Sequence, residues 1–174
     1  MFYDAIQNKH GLKHDPFKAL VVPRPIGWIS TISNEGVCNI APYSFFNAMG
    51  DRPGYVVFGS AGHKDSLRNI EFPLAGLTAA RCNMVKPPRV KESPAAFECR
   101  HWKTIELPPV APQKGGYHMV VGVVVGIHID DTYIKDGIVN TGAMKPLARL
   151  GYMEYAVVTP ESIFSMKRPE VDAE

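Results

Sequence analysis

Short apolar runs that alternate with polar residues dominate the chain, and this pattern predicts strands rather than long helices. The glycine- and proline-rich segments between them are typical of turns. The runs predict strands within residues 19–22, 26–40, 55–60, 74–80, 96–107 and 117–130. Inside the second region, Asn34-Glu35-Gly36 predicts the tight turn of a β-hairpin. The chain is therefore expected to be mainly β.

The strand at 96–107 carries Phe97 and Cys99 alternating with Glu98 and Arg100, as in a strand with one apolar and one polar face. Before it, residues 82–94 contain three prolines and several basic residues. We expect this connecting segment to lie over the surface with its charges solvated.

The hairpin region combines aromatic rings with small hydroxyl and amide groups. Aromatic side chains can cover a flat ring while hydroxyls and amides bind its heteroatoms, as in many small-molecule sites. The alternative is that these strand residues face water. The rings are Tyr43, Phe45 and Phe46, and the candidate hydrogen-bonding residues are Ser30, Thr31, Ser44 and Asn47.

The segment 59–71 follows a strand and opens a short helix at Lys64, Asp65 and Ser66. Free N–H groups at a helix start, together with a lysine and a hydroxyl, suit a phosphate. The alternative is that Asp65 or Ser66 only caps the helix while Lys64 is solvated. We assign Asp65 a capping and orienting role. The glycine spacing is not that of a nucleotide-binding P-loop.

Composition indicates an ordinary single domain of 174 residues. A net charge of +2 with scattered basic residues does not indicate nucleic-acid binding. The apolar stretch 119–129 is too short to span a membrane. Three cysteines without metal-like spacing and no signal-peptide pattern favour the cytoplasm.

Metal and acid–base chemistry have little support. His10 and His14 lie four residues apart, but Gly11 and Pro16 disfavour the helix that would align them, so no metal site is predicted. The sequence has no paired carboxylates or Ser-His-Asp pattern, and no catalytic residue is assigned.

The motifs PRPIGWIST, NIAPYSFFN and HKDSLRNIE resemble the flavin reductase-like, FMN-binding split-barrel family, including flavoredoxin-type proteins. The resemblance continues through PPRVKESPAAFECR, VVGVVVGIHIDD and ARLGYMEYAVV, and so spans nearly the whole chain. It implies a single domain over residues 1–174: a six-stranded antiparallel Greek-key split barrel with short helices. It also implies a homodimer with FMN near the dimer interface.

By position in these motifs, the flavin ring and ribityl chain would contact the hairpin residues. The resemblance places Trp28, Ser30, Thr31, Ser44, Phe45 and Asn47 there, with Arg24 as a weaker candidate. Ser60, Lys64 and Ser66 would hold the phosphate.

The implied activity is hydride transfer from NADH or NADPH to FMN, with reduced FMN serving a partner enzyme or passing electrons onward. Relatives place a nicotinamide-receiving histidine where this chain has Tyr117, next to His118. Two alternatives remain: a flavoredoxin-like electron carrier without its own nicotinamide oxidation, and a ligand-binding barrel without redox chemistry.

The chain departs from the family after Glu71. Members usually carry a further strand and a helix there, whereas Glu71 runs directly into Phe72. Either the chain is naturally shortened or a stretch is omitted. A lost barrel strand would leave an unpaired sheet edge.

Overall fold

The computed structural model describes residues 1–61, 72–110 and 115–167. Antiparallel strands dominate these ranges, and the α-helices α1 (Phe17–Leu20) and α2 (Thr141–Met144) are single turns. The mainly β prediction is confirmed. Within the described ranges, none of the helices has the length and apolar character needed to cross a membrane.

The strands form one larger sheet and several small ones. Their bounds are β1 (Arg24–Pro25), β2 (Gly27–Ile32), β3 (Cys38–Tyr43), β4 (Phe46–Asp51), β5 (Gly54–Ala61), β6 (Ala79–Ala80), β7 (Arg89–Val90), β8 (Ala95–Leu107), β9 (Tyr117–Ile129), β10 (Ile134–Lys135), β11 (Ile138–Val139), β12 (Leu147–Arg149) and β13 (Tyr155–Val157). The larger sheet has the order β4-β5-β9-β8. β2 pairs with β3, β6 with β7, β10 with β11, and β12 lies between β1 and β13.

Six of the described strands, β2 to β5, β8 and β9, have six residues or more, which agrees with the six strands expected of a split barrel. The longest are β8 and β9, which pair from Leu107 opposite Tyr117 to Ala95 opposite Ile129. Both agree with the predicted strands to within one residue at either end. β-Branched residues fill much of β9, and they suit a pleated sheet.

The predicted hairpin turn is also confirmed. Gly36 has φ +86°, a conformation that glycine adopts without strain. The Ser33 hydroxyl oxygen accepts hydrogen bonds from the N–H groups of Glu35 and Val37, both at 3.2 Å. β2 and β3 then pair residue for residue up to Gly27 opposite Tyr43.

Two strand predictions need correction. Residues 19–22 were expected to form a strand, but Ala19 and Leu20 donate their N–H groups to the Pro16 carbonyl within the turn of α1. Leu20 is 75% exposed, so this apolar run does not line a sheet. Of 74–80, only the last two residues form a strand, because the Leu77 N–H closes a turn onto the carbonyl of Phe72.

The hydrophobic core cluster joins the hairpin to the connecting segment. Ile40 of β3, Phe72 and Val90 of β7 pack together, with Leu77 against them. Ser30 of β2 donates its hydroxyl to the Pro88 carbonyl at 2.5 Å. The expectation that 82–94 only lies over the surface is therefore wrong, because the segment packs against β2 and β3.

Candidate functional site

The two predicted ligand-binding motifs meet at Phe45, in the bend between β3 and β4. The Gly59 N–H donates to the Phe45 carbonyl at 2.8 Å. A Cβ atom built on Gly59 would lie 3.2 Å from Cβ of Phe45, so this residue covers the backbone of β5 next to Ser60. The end of NIAPYSFFN thus lies where the segment 59–71 begins.

Two cations and a second ring surround Phe45. The Lys18 Nζ atom lies 5.9 Å and the Arg24 Cζ atom 6.0 Å from the Phe45 ring centroid. The Tyr117 ring lies edge-on at 6.3 Å. This arrangement suits an aromatic ligand that carries negative charge.

Arg24 is 5% exposed, and most of its donors are engaged by backbone carbonyls. Nη1 donates to Lys18 and to Val21, the latter at 2.6 Å, and Nη2 donates to Leu150 at 2.7 Å. Its buried Nε–H has no hydrogen-bond partner in the described part of the chain. Arg24 therefore ties α1 to the end of β12, while its Nε–H stays without a partner among the described residues.

The β2 candidates divide between two faces. Successive side chains of a strand point to opposite faces, so Trp28 and Ser30 share one face while Thr31 lies on the other. Thr31 is exposed, and a ligand on the Ser30 face would not reach its side chain. The role of Thr31 stays a prediction.

The remaining candidates are spread along the same elements. Ser44 is half-buried in the bend before Phe45, and Asn47 is exposed, with its Oδ1 atom accepting the N–H of Ala48. Ser60 lies opposite His118 of β9. Lys64, Asp65 and Ser66 lie outside the described residues, so the phosphate site stays a prediction.

A buried carboxylate that the sequence pattern did not reveal anchors the connecting segment. Glu98 is 2% exposed and accepts N–H groups from Asn83 at 2.8 Å, Met84 at 2.5 Å and Val85 at 3.1 Å. His128 Nε2 lies 2.5 Å from its Oε1 atom. Burial raises the pKa of Glu98, but these N–H groups and His128 outweigh it and lower the pKa from 4.5 to about 2.

Cys82 lies beside this pair, and ligating atoms of Cys82, Glu98 and His128 all fall within 4.8 Å of one another. The chemistry does not favour a metal ion. Both Glu98 oxygens already accept hydrogen bonds, and three backbone N–H groups make the site unfavourable for a cation. Burial, together with the Glu98 charge, raises the pKa of the Cys82 thiol and keeps it protonated.

A protein of Aquifex aeolicus, described as uncharacterized, is 33% identical to this chain over 173 aligned positions. These cover 78% of this chain and 85% of the relative. The alignment has 173 positions, but 78% of the 174 residues of this chain is fewer than that. Within the matched stretch, the relative therefore has residues for which this chain has no counterpart. Their position after Glu71 stays a prediction. No family model matches the sequence.

Solved structures share the fold over nearly the whole chain. The 2-nitrobenzoate 2-nitroreductase of Pseudomonas fluorescens matches with TM-score 0.77 and 24% identity, covering 100% of this chain and 99% of that one. A Shewanella frigidimarina protein assigned as a flavin reductase with a split-barrel domain matches with TM-score 0.72 and 17% identity, covering 98% and 99%. An FMN-binding protein of Thermus thermophilus matches with TM-score 0.65 and 14% identity, covering 95% and 99%.

Proposed function

Because this chain belongs to the family of the Aquifex aeolicus protein and has the flavin reductase-like split-barrel fold, we propose that it binds FMN and reduces it with NADH or NADPH. The fold match alone does not decide this activity, since it also includes a nitroreductase and flavoredoxins. The proposal therefore rests on the residues and contacts of the candidate site in this chain.

The observation that carries the proposal is the junction of Phe45 with Gly59 and Ser60. It brings the aromatic bend against residues 59 and 60, where the predicted phosphate segment starts. The residues fit the cofactor, because Phe45 offers a ring face and the unpartnered Nε–H of Arg24 offers a buried donor. Lys18 adds a positive charge above the same ring.

Ser30 has a defined hydrogen-bonding role in this proposal. Its proton is donated to the Pro88 carbonyl, so its oxygen faces a ligand only as an acceptor. Bound FMN supplies the redox chemistry as the hydride acceptor. The protein contributes orientation and electrostatics, and we assign no acid or base to the reaction.

Titration of the purified protein with FMN, followed by flavin absorbance, tests the proposal. We expect saturable binding near one FMN per chain. Lys64→Ala should weaken FMN binding by about tenfold, because a charge-assisted contact to the phosphate is lost. Riboflavin, which lacks the phosphate, should bind both proteins equally.

Lys9→Ala, which removes an exposed lysine from the N-terminal segment, is the matched control and should leave both affinities unchanged. If Lys64→Ala lost affinity for FMN and for riboflavin equally, the result would contradict the role of Lys64 in phosphate binding. Rapid NADH or NADPH oxidation with FMN present supports the reductase. Bound FMN without such oxidation would instead assign an electron carrier, and no flavin binding would leave a non-redox barrel.

We also propose that the protein is a homodimer. The aromatic residues within 43–46 give little support for this, because they are half-buried. Phe97 and Ile127 lie directly opposite each other on β8 and β9 and are 51% and 62% exposed. Adjacent exposed apolar side chains of this kind are typical of an interface.

Light scattering at micromolar concentration with FMN present should give twice the chain mass of 19.2 kDa. Phe97→Asp with Ile127→Asp should shift the protein toward the monomer. The matched control is the double change of the exposed Ile134 and Ile138 to Asp. A monomeric unaltered protein would contradict the dimer.

The free cysteines Cys38, Cys82 and Cys99 support a reducing, cytoplasmic location, where a flavin-accepting enzyme would be the partner.

A further inference from the structure

A cavity of about 690 Å³ lies between the end of β2 and the edge strand β8. Ile32, residues 81–86 and Arg100 line it. Its volume falls within the range of small-molecule sites. None of the predicted flavin-binding residues that the structure describes lines this cavity.

The charge around the cavity is one-sided. Arg81, Lys86 and Arg100 all line it, and no acidic side chain from the described part of the chain does. Glu98 lies nearby, but it is buried and its oxygens accept the backbone N–H groups of 83–85 and lie against His128. Its negative charge is therefore compensated locally, and the cavity presents three cations.

The backbone that carries Lys86 is held on both sides. Glu98 binds three successive N–H groups at 83–85, and Ser30 binds the carbonyl of Pro88. Lys86 lies between the two anchors. A site whose backbone is fixed before the ligand arrives loses less conformational entropy on binding.

We propose that this cavity binds a phosphoanhydride group, such as the diphosphate of a nicotinamide dinucleotide. Three basic side chains suit a group that carries two or more negative charges. Ile32 shares a strand face with Trp28, four residues away, which is roughly 13 Å along a strand. A dinucleotide could therefore extend from the cavity toward the proposed flavin site. The choice of dinucleotide rests on the proposed function, whereas the phosphate site does not.

The test compares two double variants with the same loss of charge. Lys86→Gln with Arg100→Gln alters the cavity, while Lys91→Gln with Lys103→Gln removes two exposed lysines that do not line it. Calorimetric titration with ADP at low ionic strength should show binding to the unaltered protein. The cavity variant should bind ADP at least about tenfold more weakly, and the control within about twofold. Thermal unfolding of both variants checks that each is folded.

Equal losses of ADP affinity in the two double variants would overturn the proposed phosphate site. The absence of ADP binding by the unaltered protein would overturn it as well. NADPH and NADH added in competition identify the source of the phosphate. If either displaces ADP, the site receives a dinucleotide; if neither does, the site binds a free nucleotide. FMN titration of the same proteins keeps the two proposals separate, because FMN binding should not depend on Lys86 or Arg100.

Discussion

Replacing Glu98 with alanine is expected to lower the Tm by about 10 °C. The carboxylate is almost fully buried and accepts the N–H groups of Asn83, Met84 and Val85 together with the contact from His128. Removing it leaves these donors without their acceptor, and an unsatisfied donor costs free energy. The same change deletes side-chain volume next to Gly126. A Cβ atom built on Gly126 would lie 3.3 Å from the Glu98 side chain.

The matched control is Glu106→Ala, which removes an exposed carboxylate from the same strand. Its Tm should change by no more than about 2 °C. Amide hydrogen exchange gives a local readout, because the amides of 83–85 should lose protection in Glu98→Ala and keep it in the control. Unchanged exchange at these three amides would show that Glu98 does not anchor the segment.

The sequence predicted the long strands well because their signal is local. β9 is rich in β-branched residues and lies between glycine-containing loops, and its structure begins at the predicted residue. The β2–β3 turn was equally readable, since Asn34-Glu35-Gly36 can adopt a glycine-dependent turn in almost any fold. Both elements required no knowledge of distant residues.

The orientation of β8 could not be predicted in the same way. Alternation suggested an apolar face with Phe97 and a polar face with Glu98, yet Phe97 is 51% exposed and Glu98 is buried. The register of β8 shifts between Glu98 and Cys99, and the burial of Glu98 depends on amides at 83–85 and a histidine 30 residues away. Such compensation exists only in the folded chain.

The candidate site also combines features that the sequence could predict with features that only the folded chain reveals. Strand alternation alone could have placed Ser30 and Thr31 on opposite faces, a signal that the motif-based assignment did not use. The contact of Phe45 with Gly59 could not be read from either motif, because a backbone hydrogen bond between β5 and the bend creates it. Arg24 was a candidate for the same pocket, and nothing in the sequence indicated that three backbone carbonyls would accept from its guanidinium; its contact with a ligand stays a prediction.

Acid should destabilise the protein strongly through Glu98. Its folded pKa of about 2 lies below the ordinary 4.5, since burial, which raises the pKa, is outweighed by the backbone N–H groups and His128. The unfolded state therefore binds more protons between these two values, and the stability that Glu98 provides is complete above pH 4.5. This stability is lost as the pH falls from 4.5 toward 2. The midpoint of urea unfolding should decrease steeply across this interval.

Glu98→Gln tests the origin of that dependence, because glutamine cannot titrate. The variant should be less stable near neutral pH, and its midpoint should change much less between pH 4.5 and pH 2. Glu92→Gln is the matched control. Hydrogen bonding to Thr78 lowers the pKa of Glu92 as well, but this carboxylate is exposed, so its removal should leave most of the acid dependence intact. If Glu98→Gln and the unaltered protein lost stability in parallel below pH 4.5, other carboxylates would carry the effect, and the Glu98 anchor would contribute equally in both protonation states.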